Sequence, residues 1–74
     1  MAVTLLLLDG TTTTVEPVPG KTCKESLIEL GIMTGPPDVW EVVTPDNRVV
    51  DNEPIASFDQ KKLQITPKKG KGGN

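Results

Sequence analysis

The side chain best suited to covalent chemistry in this 74-residue chain is Cys23, its single cysteine. Cys23 falls in the first turn of a predicted helix, where the helix dipole lowers a thiol pKa. Lys21 and Lys24 would add positive charge. A lone cysteine on an apolar helix face is more often a small buried hydrophobic residue, and we favour that interpretation. The chain has no histidine, so the commonest general base is missing. We therefore predict a protein that is not an enzyme and needs no cofactor or metal.

The segment after the last predicted strand is the second region of chemical interest. From Pro67 onward it reads PKKGKGGN, with no apolar side chain. This composition is typical of a solvated, flexible tail. We predict a folded domain over residues 1–67 and a tail over residues 68–74. The tail lysines can steer it toward an acidic groove on a partner protein, and they are Lys68, Lys69 and Lys71.

Composition excludes several other classes of protein. The formal net charge is −2, so the whole molecule is not drawn to nucleic acid or to an anionic membrane. One cysteine cannot form an internal disulfide, which excludes a stapled secreted scaffold. The leucine run at residues 5–8 is too short to span a bilayer or to form a signal core. We expect a monomeric cytoplasmic protein.

The elements that position these residues begin with a hairpin. Residues 2–8 alternate apolar side chains between two faces and predict a strand. Asp9-Gly10 suits a two-residue turn, because both positions tolerate positive φ. Residues 11–18 predict the returning strand, since four consecutive threonines favour extended backbone. Pro17 and Pro19 lack ladder donors and place that strand at an edge or end it.

One helix follows the hairpin. Thr22 and Glu25 have the spacing of a capping box at its start. Cys23, Leu27 and Leu30, with Ile28 beside them, predict an apolar face near residues 23–30. Gly31 is a natural left-handed stop, after which Ile32 can fold back. A helix of this length does not persist alone in water and must pack on a sheet.

The second half of the domain predicts three more strands. They cover residues 39–44, a short stretch at residues 48–50, and residues 63–66. Trp40 is either part of the core or an exposed anchor for a partner, and the alternation favours Trp40 and Val42 pointing inward. Residues 51–59 are mostly loop, anchored by Ile55 and Phe58. The prediction is an α+β fold in which a mixed four- to five-stranded sheet packs on one helix.

At this point the chain resembles the ubiquitin-like β-grasp family, which includes prokaryotic ubiquitin-like modifiers and sulfur carriers. The order and spacing of several motifs over nearly the whole chain carry the resemblance. They are the Asp9-Gly10 hairpin, Thr22 and Gly31-Ile32 at the helix ends, Pro36-Pro37-Asp38 before the third strand, the loop at residues 51–58, and Gly72-Gly73 after a basic residue.

The resemblance implies chemistry at Gly72 and Gly73. In this family a partner enzyme adenylates the terminal glycine carboxylate, and glycine lets the backbone thread a narrow channel because it has no Cβ. Asn74 follows the diglycine here, so the resemblance implies that a peptidase removes Asn74 first. The central isoleucine of the family's partner-binding patch would fall on Val43. Its neighbours would fall near Gly10 and Thr66, so most of the patch is lost.

Three functions remain open on the sequence. The first is a protein modifier, handled by an activating and a conjugating enzyme and joined to amines of target proteins. The second is a sulfur carrier whose terminal glycine becomes a thiocarboxylate. The third is a β-grasp binding or scaffold module that is never activated. Asn74 favours the modifier, because the sulfur carriers of the family usually end at the diglycine.

Overall fold

The computed structural model describes residues 1–33, 36 and 38–68. Within these residues the chain forms one α-helix, four strands and one short 3₁₀ helix. In chain order the elements are β1 (Val3–Leu6), β2 (Thr12–Val15), α1 (Cys23–Glu29), β3 (Trp40–Val43), the 3₁₀ helix (Ile55–Phe58) and β4 (Lys62–Pro67). The predicted tail at residues 69–74 lies outside the described residues.

The sheet is mixed and has the strand order β2-β1-β4-β3. β1 pairs antiparallel with β2 and parallel with β4, and β4 pairs antiparallel with β3. The chain therefore leaves the β1–β2 hairpin, crosses as α1 and returns so that its last strand lies beside its first. The predicted α+β fold is confirmed at this level.

The hairpin loop is one residue longer than predicted. β1 and β2 pair in register from Val3 with Val15 to Leu6 with Thr12. Beyond them the N–H of Leu7 donates to the carbonyl of Thr11 over 2.8 Å, which leaves three residues in the loop. Gly10 has φ +88°, the left-handed conformation that three-residue hairpin loops place at their last position.

Local signals fixed both ends of α1 as predicted. The Thr22 side chain accepts from the N–H of Glu25, and the Glu25 carboxylate accepts from the N–H of Thr22. At the other end Gly31 adopts φ +74°. The N–H of Ile32 donates to the carbonyl of Leu27 over 3.0 Å, and this bond closes a Schellman motif.

The predicted apolar face of α1 was wrong at Ile28 and Leu30. Cys23, Ser26 and Leu27 are buried, whereas Ile28 is 44% exposed and Leu30 is 52% exposed. The chain reverses at Gly31, and the side chain of Ile32 then packs against the core where Leu30 would have reached. The remaining buried core residues come from all four strands, residue 50 and the 3₁₀ helix: Val3, Leu5, Val15, Trp40, Val42, Val50, Ile55, Phe58, Leu63 and Ile65.

The predicted short strand at residues 48–50 is not a strand in the structure. Val49 forms only an isolated bridge with Val43. The reason lies at Val42, whose N–H donates to the side chain of Asp51 over 2.6 Å. A fifth strand would need that donor for its ladder, so the described sheet stops at four strands.

Candidate functional site

The candidate site lies at the carboxyl end of β4, where the chain leaves the sheet. β4 pairs with β3 as far as Pro67, which lies opposite Trp40. The N–H of Lys68 then donates to the carbonyl of Val39 over 3.0 Å. The backbone is therefore held against β3 up to residue 68. The segment that carries the diglycine starts from this fixed point.

The structure brings together the two predicted site residues that it describes. Val43 and Lys68 line one open groove of about 620 Å³. The other predicted site residues lie outside the described part of the chain: Lys69, Lys71, Gly72, Gly73 and Asn74. The structure therefore describes the base of the proposed tail and the surface beside it.

Strand alternation explains why this groove forms. Val42 and Ile65 lie opposite each other and point into the core, so their neighbours on β3 and β4 point to the outer face. The loop after β3 closes one end of the groove through Asn47, which adopts φ 72°. The full lining consists of Glu41, Val43, Asn47, Thr66, Pro67 and Lys68.

The groove combines opposite charges with an apolar floor. Glu41 supplies carboxylate acceptors and Lys68 supplies an ammonium donor. Among the described residues, no carboxylate lies within ion-pair distance of Lys68. Its exposed ammonium group is therefore available to an acidic partner.

Val43 contributes to the floor of this groove and exposes almost none of its surface. It is 3% exposed, although it lies outside the core cluster. Its bridge partner Val49 is 49% exposed. A docking protein would therefore reach Val49 before Val43. Sequence reasoning missed Val49 because residues 48–50 were interpreted as part of the sheet.

Sequence reasoning also missed a second exposed apolar residue, which lies in the hairpin loop. The sequence predicted that the neighbours of Val43 in the family's patch fall near Gly10 and Thr66. In the structure the adjacent Leu8 is 50% exposed in the hairpin loop. The alternation of the first strand already contained this signal, because it assigns Leu8 to the face opposite Leu5.

A second groove of about 430 Å³ is lined by residues of β1, β2 and β4 and by Pro45. Leu6 and Thr12 face each other across the hairpin register. Lys62 lies at the start of β4, at the opposite end of that strand from Lys68. The outer face of the sheet therefore offers two open grooves with an exposed lysine at each.

A half-buried cluster at the edge of β3 joins α1 to the sheet. The Lys24 ammonium donates to the carbonyl of Trp40 over 2.8 Å and lies 3.2 Å from a carboxylate oxygen of Asp51. It also lies 4.6 Å from the centroid of the Trp40 ring, within the range of a cation–π interaction. Trp40 is 1% exposed, so it is part of the core and not a surface anchor, as the alternation predicted.

The structure favours the buried interpretation of Cys23 over the reactive one. Its side chain is buried, and burial, followed by the nearby carboxylates of Glu53 and Asp51, raises the pKa of the thiol to about 11. The positive charges predicted to lower this pKa are offset, because Lys21 pairs with Glu29 and Lys24 pairs with Asp51. At neutral pH the thiol stays protonated and is a poor nucleophile.

In the described residues, no three His, Cys, Asp or Glu side chains are grouped so that they could hold a metal ion. No helix there is long and apolar enough to cross a membrane. No protein-family model and no curated protein matches the sequence. Function therefore has to be inferred from the fold and from the surface beside the tail.

Proposed function

We propose that this protein is a ubiquitin-like modifier with the β-grasp fold. A partner enzyme activates it at Gly73, and it is then joined through that carboxylate to amines of target proteins. Asn74, and any residue after it, is removed before activation. The observation that carries the proposal is the parallel pairing of β1 with β4, which puts the strand preceding the diglycine at the centre of the sheet.

The topology supports the β-grasp assignment. A β-grasp fold consists of an amino-terminal hairpin, a helix packed on it, and later strands that end beside the first strand. The order β2-β1-β4-β3, with α1 between β2 and β3, supports this assignment. The described residues lack the short strand that the sequence predicted at residues 48–50, where only Val49 bridges to Val43.

The geometry of the tail base supports activation at Gly73. Lys68 is held against β3 by its backbone hydrogen bond to Val39. The five residues that follow Lys68, up to and including Gly73, can extend over at most about 18 Å. This reach allows Gly73 to enter a recessed nucleotide site while the folded domain stays outside. The exposed ammonium of Lys68 supplies attraction to an acidic channel entrance, and Lys69 and Lys71 would add to it.

The proposed chemistry takes place on the partner enzyme. The Gly73 carboxylate attacks the α-phosphate of ATP, so an acyl-adenylate forms and pyrophosphate leaves. An enzyme thiol then takes the acyl group and releases AMP, and a target amine finally displaces the thiol to form an amide. This chain contributes only the carboxylate and a tail narrow enough to reach the nucleotide, because glycine has no Cβ.

ATP–pyrophosphate exchange with a candidate activating enzyme from the native host tests the proposal. A protein ending at Gly73 should support exchange, and one that retains Asn74 should not. Gly73→Ala should react poorly because its Cβ crowds the channel. Gly70→Ala adds the same Cβ three residues earlier and serves as the matched control, with exchange close to that of the parent protein.

Intact-mass measurement of the protein from its native host completes the test. Conjugates that carry the chain in amide linkage to target proteins support the modifier. Replacement of one terminal oxygen by sulfur would indicate a sulfur carrier. A native protein that keeps Asn74, together with a trimmed form that gives no exchange, would leave only the binding module.

A further inference from the structure

The two edges of the sheet differ in how their backbone groups are used. At the β3 edge, the N–H of Val42 donates to Asp51 and its carbonyl accepts from the N–H of Val50 over 2.8 Å. The carbonyl of Trp40 accepts from the Lys24 ammonium. Side chains and a loop therefore occupy this edge, as natural sheets commonly arrange against unwanted strand pairing.

The backbone groups at the β2 edge are used differently, and the direction in which each group points shows how. The N–H of Thr4 points to β4, since it donates to the carbonyl of Lys61 over 3.0 Å. Residues alternate along a strand, so Leu5 points to β2 and exchanges hydrogen bonds with Thr13. The N–H and carbonyl groups of Thr12 and Thr14 then point away from the sheet.

The outward-pointing groups of β2 are uncovered in the part of the chain that the structure describes. Thr12 and Thr14 are exposed. No hydrogen bond from another described residue reaches their backbone groups. β2 also has β1 as its sole strand neighbour among the described residues. It therefore presents a row of donors and acceptors of the kind that pairs with an added strand.

Charge around this edge indicates what can pair with it. The strand itself is uncharged and rich in β-branched side chains, with the sequence TTTV. Asp9 lies before it and Glu16 after it, and both are exposed. No described cation is within ion-pair distance of either carboxylate. The edge is therefore neutral in the middle and acidic at both ends.

In the register centred on Thr13, pairing with a second copy of the chain is disfavoured by these charges. In an antiparallel pair centred on Thr13, Glu16 of one copy lies opposite Gly10 of the other, directly beside Asp9. Like charges at such positions destabilise a strand pair. A strand with basic ends would instead place opposite charges together.

We propose that the β2 edge binds an extended peptide segment of a partner protein by strand addition. The segment has uncharged, β-branched residues opposite Thr12–Val15 and a lysine or arginine at each end. This site is separate from Lys68, whose backbone lies against β3 at the opposite edge of the sheet. The inference rests on the β2 edge alone and does not depend on the proposed function.

NMR titration with two synthetic peptides tests the site. The probe is the N-acetylated, C-amidated peptide Lys-Val-Thr-Val-Thr-Lys, and its control is Glu-Val-Thr-Val-Thr-Glu. We expect the lysine peptide to slow hydrogen exchange at the amides of Thr12 and Thr14. We expect it to bind several-fold more tightly than the glutamate peptide, with a preference that shrinks as salt is added.

Two charge-removing variants make the test specific to the edge. Glu16→Gln should weaken binding of the lysine peptide by about 1.5- to 5-fold, the range for one exposed ion pair. Asp38→Asn removes one exposed carboxylate next to β3 and should leave binding unchanged. Equal binding of both peptides, or no protection of Thr12 and Thr14, would overturn the proposal. Protection of these amides that grows with protein concentration alone would overturn it in favour of self-pairing.

Discussion

Burial and two neighbouring carboxylates determine the behaviour of the Cys23 thiol. Its pKa in the folded protein is raised from the ordinary 9.0 to about 11. The unfolded chain therefore loses this proton first as the pH rises. The protonated thiol favours the folded state fully below pH 9, and that contribution is lost as the pH rises through about 11.

We therefore expect the stability of the parent protein to decline above pH 9 more steeply than that of Cys23→Ala. Urea unfolding of both proteins between pH 7 and pH 10 measures this difference as a change in pH slope, so the cavity left by alanine does not affect the comparison. At pH 7 a thiol reagent should modify native Cys23 only as fast as the protein opens. Immediate modification of the folded protein would mean that the thiol is accessible.

Asp51 is a second residue whose role is structural. It accepts from the N–H of Val42 and pairs with Lys24, and its side chain is 13% exposed. Asp51→Ala leaves that buried N–H without its acceptor and should lower the free energy of unfolding by roughly 1.5–3 kcal/mol.

Glu53→Gln is the matched control for Asp51→Ala. It removes a carboxylate whose ion pair with Arg48 is exposed, so its effect should stay within about 1 kcal/mol. Denaturant unfolding curves of both variants provide the measurement. Equal losses in the free energy of unfolding would mean that the hydrogen bond from Val42 to Asp51 does not stabilise the β3 edge.

At the scale of elements, α1 depends on packing, because a seven-residue helix does not persist alone in water. Leu27 is fully buried on it, whereas Leu30 at its end is exposed. Leu27→Ala should lower the free energy of unfolding by roughly 2–5 kcal/mol. Leu30→Ala removes the same atoms from an exposed site and should change it by about 0.5 kcal/mol or less.

One result of the unfolding curves of these two helix variants would contradict the exposure of Leu30. A loss at Leu30→Ala comparable with that at Leu27→Ala would show that Leu30 packs in solution. Leu30 would then belong to the inward face of the helix, as the spacing of Cys23, Leu27 and Leu30 had indicated.

The elements show which parts of the fold the sequence could predict. The ends of α1 were predictable because Thr22, Glu25 and Gly31 act through neighbours in the chain. The exposure of Leu30 was not predictable, because it depends on Ile32, which follows the turn at Gly31 and packs against the core. The fifth strand is missing because the Asp51 side chain takes the hydrogen bond of Val42, nine residues away in the chain. The sequence of residues 48–50 does not show that Asp51 has this partner.

The sequence could likewise predict only part of the candidate site. The loss of apolar residues after the last strand predicted a tail from Lys68 onward, but it gave no sign of the hydrogen bond that holds Lys68 against β3 at Val39. The burial of Val43 did not follow, since it depends on the chain returning over the outer face at Val49. The open β2 edge required the strand order and the direction of each backbone group, which only the three-dimensional structure supplies.

At the scale of the whole molecule, the sheet order predicts a gradient of protection. β1 and β4 each have a strand on both sides, whereas β2 has one. Opening the central pair requires disruption of the core around Leu5 and Leu63, which lie opposite each other. Amides of β1 and β4 should therefore exchange only through openings close to global unfolding.

At the open β2 edge, protection of the amides from hydrogen exchange should alternate from one residue to the next. In the free protein the amides of Thr12 and Thr14 point to solvent and should exchange fastest within the sheet, while Thr13 between them is protected by Leu5. Native-state hydrogen exchange, residue by residue, measures this alternation. Equal protection of the three threonines would show that another part of the chain covers the β2 edge. That result would also remove the basis for strand addition there, because a covered edge has no donors or acceptors left to offer a partner.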